Sequence, residues 1–117
     1  MKIGDKVPYF EFLDGIKGKS LYDVLQKYHL VMYNTKNSEE FEKLEPEFEK
    51  LGAKLIDYIQ VITKDFCEKF GCKENEEFIF VIDRFGILQY RSLGYVPPAK
   101  EILDFIFYIE NEGCCAL

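Results

Sequence analysis

Apolar positions along the chain fall in short clusters whose spacing switches between two residues and three to four. "YFEFL" and "IKGKS" flank Asp14-Gly15, which predicts a β-hairpin. In "SLYDVLQKYH" Ser20 is placed to cap a helix that carries Leu21, Val24, Leu25 and Tyr28 at helical spacing. "LVMY" reads as a short buried strand. A helix from about Ser38 to Leu51 would present Phe41, Leu44, Phe48 and Leu51 on one face, with Gly52 past its end. "KLIDYIQVIT" predicts the next strand and "KDFCEKFG" the next helix, stopped by Gly71. "EFIFVID" and "ILQYRSLG" lie either side of "RFG" as an antiparallel hairpin, and Pro97-Pro98 opens a last helix from about Ala99 to Asn111.

This alternation of strands and helices implies an α/β sandwich with a mixed central sheet. Right-handed crossovers would put successive helices on opposite faces. No repeat or linker interrupts it, and 117 residues with 48% hydrophobic content suffice for one buried core. Residues 1–112 are expected to form that domain and 113–117 a flexible cysteine-containing tail.

Charge narrows the partners. The formal net charge is −6 and no two cations are adjacent, so there is no electrostatic footprint for nucleic acid. The first residues lack the apolar region of a signal peptide, and the apolar run Phe105 to Ile109 is far too short to span a bilayer. We expect a cytoplasmic protein without membrane partners. Glu and Lys dominate the charged residues, Gln occurs three times and Trp not at all, a bias shared by many thermophile proteins. That bears on the four cysteines, because thermophile cytosols tolerate disulfides that mesophile cytosols reduce.

Three stretches carry a resemblance: "IGDKVPYFEFLDGIKGKSLYDVLQKYHLVMYN", "SEEFEKLEPEFEKLGAKL" and "FIFVIDRFGILQYRSLG". They resemble the opening, redox helix and closing hairpin of the alkyl hydroperoxide reductase and thiol-specific antioxidant group, the peroxiredoxin-like branch of the thioredoxin fold. The resemblance covers more than half of the chain. It implies a thioredoxin-like three-layer sandwich, with helices on both faces of a mixed sheet and an N-terminal β-hairpin.

It also implies where a thiol should stand. Pro46 follows Phe41 by five residues and Ser38 by eight, the offset at which the family's kink proline follows its Cys-x-x-Cys or Thr-x-x-Cys. Ser38 then takes the place of the first Cys or Thr, and Phe41 that of the second Cys, the peroxidatic residue. Six residues before Asp83, where the fold's thiol oxidoreductases carry a cis-proline, stands Glu77. Ser38 itself reads as a helix N-cap with Glu39 and Glu40 in the first turn, which suits the helix dipole. The only histidine, His29, falls at the far end of the adjacent strand, out of reach as a base for Ser38.

The remaining candidate thiols are Cys67, Cys72, Cys114 and Cys115. If Gly71 is the left-handed residue ending its helix, Cys67 and Cys72 occupy the two positions whose side chains touch in a Schellman turn. They are then either a disulfide, worth about 2 kcal/mol on the chain-entropy model, or buried apolar filler. Their place at a helix C-terminus disfavours a reactive thiolate. "CCAL" at the end matches the C-a-a-X prenylation pattern, though no polybasic segment precedes it. A metal site from all four cysteines is not expected, since the Cys67 helix and the last helix should lie on opposite faces and adjacent cysteines chelate poorly.

The last helix carries a stripe of Ile102, Phe105, Ile106 and Ile109 and a second of Leu103 and Phe107. The second stripe suggests either a homodimer or cover by the N-terminal hairpin. The functional expectation is a non-peroxidase binding or redox-partner module, without cofactor or metal, taking a redox protein or extended peptide at a cleft formed by Ser38, Phe41 and Glu77. The competing expectation is a thiol-disulfide oxidoreductase working through Cys67 and Cys72 or through the tail pair.

Overall fold

Strand β3 (His29–Asn34) is the most buried stretch of the first half, and the sheet is assembled around it. A computed structural model of the chain describes residues 1–111, so the expected tail with Cys114 and Cys115 lies outside the described residues. β3 pairs in parallel with β4 (Ala53–Asp57) and antiparallel with β5 (Phe78–Ile82), which in turn pairs antiparallel with β6 (Leu88–Leu93). The order β4-β3-β5-β6 is a mixed four-stranded sheet, and β1 (Glu11–Asp14) with β2 (Lys17–Ser20) forms a separate hairpin. That hairpin turns at Gly15-Ile16, one residue later than expected, because Gly15 supplies the positive φ of 67° at the first central position.

Helices alternate between the faces as the handedness rule requires. Leu21 and Val24 of α1 (Leu21–Val24) and Phe66 and Phe70 of α4 (Phe66–Phe70) pack with the N-terminal hairpin on one face. Phe41 of α2 (Ser38–Lys43), Phe48 of α3 (Glu45–Lys50), and Ile102, Ile106 and Ile109 of α5 (Ala99–Asn111) fill the other. Because the hairpin lies opposite α5, it does not cover that helix. Leu103 packs partly buried against the core, leaving Phe107 of the second stripe exposed at 59%.

Three elements are shorter than their apolar pattern suggests. The helix expected over 38–51 breaks at Leu44, because Pro46 has no N–H to bond back to position 42 and sits where a new helix starts. α1 ends at Val24, since Leu25 is extended and Gln26 takes a φ of 69°, held by its N–H donating to the Arg84 carbonyl at 2.6 Å. β4 stops at Asp57, whose carboxylate accepts the Ile59 N–H at 3.1 Å and starts a 3-10 turn over Tyr58–Gln60. No helix among the described residues is long and apolar enough to cross a membrane.

Candidate functional site

The turn from β3 into α2 holds Ser38 and Phe41, two of the positions that the resemblance singles out, and Glu77 reaches it from the segment before β5. Here a carboxylate organises the backbone. Glu77 accepts hydrogen bonds from the Thr35 hydroxyl at 2.5 Å and the Lys36 N–H at 2.9 Å. The Asn34 side-chain amide donates to the carbonyls of Glu74 and Glu76 at 3.2 and 3.0 Å, stitching the segment before β5 to the end of β3. The bonds from Thr35 and then Lys36 hold the Glu77 carboxyl below its ordinary range. The peptide bond before Glu77 is trans, as is every other described peptide.

Phe41 is 1% exposed. Its ring stacks on Tyr33 with centroids 4.5 Å apart and lies 6.2 Å from the Phe48 ring. Ser38 is the first residue of α2 and Asn37 occupies the cap position without a side-chain cap bond, so the expected Ser38 cap is corrected by one residue. Nor do the three positions form one cleft. Phe41 edges a depression of about 140 Å³ beside Tyr95, Val96, Pro97 and Pro98, while Glu77 lines a different one with Asn34, Lys36 and Asn75.

His29 is buried at the opposite end of β3. Its Nε2 lies 3.2 Å from a Glu110 carboxylate oxygen, and the same carboxylate takes a forked pair from Arg84 at 2.5 and 2.8 Å. Gly52 leaves the room this tie needs: a Cβ there would stand 2.1 Å from Arg84 Nη2. Burial, then the Arg84 charge, lowers the His29 pKa, whereas Arg84 lowers that of Glu110.

The described cysteines meet at the end of α4. Gly71 adopts φ 76°, and the N–H groups of Gly71 and Cys72 both donate to the Cys67 carbonyl, at 2.8 and 3.0 Å. This turn folds Cys72 back so that its sulfur lies 2.6 Å from that of Cys67. Cys67 is 8% exposed, and Cys72 is partly buried against the same core. Burial, followed by the Cys67 sulfur, pushes the Cys72 thiol well above its ordinary range. Cys67 and Cys72 line a groove with Lys64, Glu68 and Lys73, on the face opposite α5. Among the described residues no group of three or more His, Cys, Asp or Glu is arranged to hold a metal ion.

No family model and no curated protein matches the sequence. Solved structures do match the fold. The chain is similar to the reduced 2-Cys peroxiredoxin of Plasmodium vivax, with TM-score 0.75 and 16% identity, covering 92% of this chain and 96% of that one. The match to Mycobacterium bovis AhpC has TM-score 0.76 at 13% identity, covering 99% and 96%. This is a peroxiredoxin-like thioredoxin fold. The same fold reaches a Chlorobium tepidum protein assigned as the thiol:disulfide interchange protein DsbE, at TM-score 0.71 and 16% identity over 94% and 98% of the two chains. Likeness at these identities places the architecture, and chemistry on a peroxiredoxin-like scaffold has to be argued from its own side chains.

Sequence reasoning missed Tyr33 as a surface-reaching group. It reads as one more apolar residue of a buried strand, yet it lines a groove of about 720 Å³ along β4. The Arg84–Glu110 pair was equally silent, because nothing local relates positions 26 residues apart.

Proposed function

We propose that this protein is a peroxiredoxin-like domain without peroxidatic chemistry, acting as a binding or redox-partner module. The observation that supports this is the substitution of chemistry by packing at position 41. A peroxidatic thiol needs an exposed, electropositive helix N-terminus, whereas Phe41 is sealed between Tyr33 and Phe48. Glu77, in turn, occupies the Lys36 N–H and the Thr35 hydroxyl of the loop before α2 with a negative charge. The deciding experiment follows peroxide consumption with dithiothreitol as reductant. The expected result is a rate equal to that of the C67S/C72S/C114S/C115S variant. A faster, cysteine-dependent rate would overturn the proposal.

The sulfur contact of Cys67 and Cys72 favours a second reading, a dithiol that loses two electrons and two protons to a disulfide oxidant and becomes a disulfide. Against fast exchange stands the raised Cys72 thiol, since only the thiolate attacks. Differential alkylation with peptide mapping across glutathione redox buffers separates the roles. Joint oxidation near the thioredoxin potential of about −270 mV supports exchange chemistry. A pair that is bridged under strongly reducing buffer, or never bridged, supports a staple or filler.

A further inference from the structure

The groove along β4 is lined by Glu42, Glu45 and Glu49, which neither the fold nor the thiol argument uses, together with Tyr33 and residues of β4 itself. Among the described residues β4 is the edge of the sheet, with β3 on one side and no strand on the other. At one end of the groove Lys54 shows how a lysine is held there: its ammonium pairs with Asp14 at 3.2 Å and lies 5.4 Å from the Tyr28 ring centroid. The other end repeats a tyrosine beside carboxylates, with no lysine among them. Tyr33 is 3% exposed, yet its hydroxyl makes no hydrogen bond among the described residues and reaches the groove. Glu42 at the end of α2 and Glu45 and Glu49 of α3 line the groove together with Ala53, Leu55 and Asp57 of β4. None of the three makes a side-chain ion pair or hydrogen bond among the described residues. Burial, followed by the charges of Asp57, Glu42 and Glu45, raises the Tyr33 pKa.

The Tyr33 hydroxyl meets solvent in the free protein, since among the described residues His29 Nδ1 is the one buried side-chain polar atom without a partner, and it is therefore open to an incoming donor. A metal ion does not suit, because the carboxylates are too dispersed to coordinate one together. A row of separated anions beside an unpaired strand edge suits a row of separated cations on an extended backbone. We propose that this groove binds an extended, lysine- or arginine-bearing segment of a partner protein, added along the free edge of β4. One basic side chain meets the Tyr33 hydroxyl and Glu42 or Glu45, and a second reaches Glu49. Main-chain bonds to the strand supply affinity, and the carboxylate row supplies selection for basic residues. The proposal deepens the binding-module reading and rests on it. Its test reads peptide binding rather than peroxide, so each can fail alone.

The experiment titrates the full chain with an end-blocked peptide of alternating lysine and valine, followed by amide chemical shifts and a fitted Kd. A glutamine-for-lysine peptide and spermidine serve as comparisons. Expected are shifts confined to Ala53–Asp57 and the facing residues of α2 and α3, with weaker binding as salt rises. Tyr33→Phe keeps the ring stack and removes only the hydroxyl; it should weaken binding about fivefold. Glu45→Gln with Glu49→Gln should weaken it about threefold or more. Equal binding of the glutamine peptide, shifts elsewhere on the surface, or an affinity indifferent to both variants would overturn the proposal. So would spermidine binding as tightly as the peptide without moving the β4 amides.

Discussion

The turn entering α2 and the turn leaving α4 stand in instructive contrast. At the first, the scaffold offers the electrostatics a thiolate needs, the positive end of a helix, and the sequence has put Phe41 and a carboxylate there. At the second, two sulfurs meet at the negative end of a helix, where thiol ionisation is disfavoured. The helix start thus holds an aromatic ring and a carboxylate, and the described sulfurs lie at a helix end that disfavours their ionisation. On the proposed reading, packing and loop closure account for the residues at both turns.

The contrast breaks most visibly at position 41. Phe41→Ala should cost about 3–5 kcal/mol in urea unfolding, because it opens a cavity between Tyr33 and Phe48. A loss under 1 kcal/mol would mean the ring is not a structural replacement. At the other turn, C67S/C72S should lower the stability of oxidised protein by about 2 kcal/mol and change that of reduced protein little. An identical loss in both states would show that the pair acts only as filler.

Glu77→Ala should cost about 1–2 kcal/mol, by freeing the Thr35 hydroxyl and the Lys36 N–H, with faster amide exchange confined to 34–37. The smallest effect is that of acid. The folded Glu77 pKa is depressed, so its contribution is complete above the unfolded value near 4.3 and disappears as pH falls through the lower folded value. Urea midpoints taken from pH 6 to 3 should therefore drop less steeply in Glu77→Gln than in the parent chain. Parallel slopes would remove Glu77 from the account.

Much of the architecture could be read from the chain because its signals are local. Gly15 and Gly71 mark turns that only a positive φ makes, and "FIFVI" is apolar enough to be a central strand wherever it lies. The resemblance located Ser38, Phe41 and Glu77, but not their relation, since cleft formation depends on how deeply the Phe41 ring sinks. The helix break at Leu44 was written in Pro46, which can kink or restart a helix. The early end of α1 was not legible, because Gln26 is held left-handed by a carbonyl 58 residues away. Tyr33 was hidden for a different reason: a strand's alternation says which face a side chain takes, but not whether its far end reaches water.

The tie of His29 to Glu110 also orders events in time. The imidazole is made 81 residues before the carboxylate that meets it. A chain emerging during synthesis can align β3 with β4 early, but its first central strand carries an unanswered polar ring until the final turns of α5 arrive. Closure of this end of the sheet thus depends on the last helix as well as on its neighbouring strands.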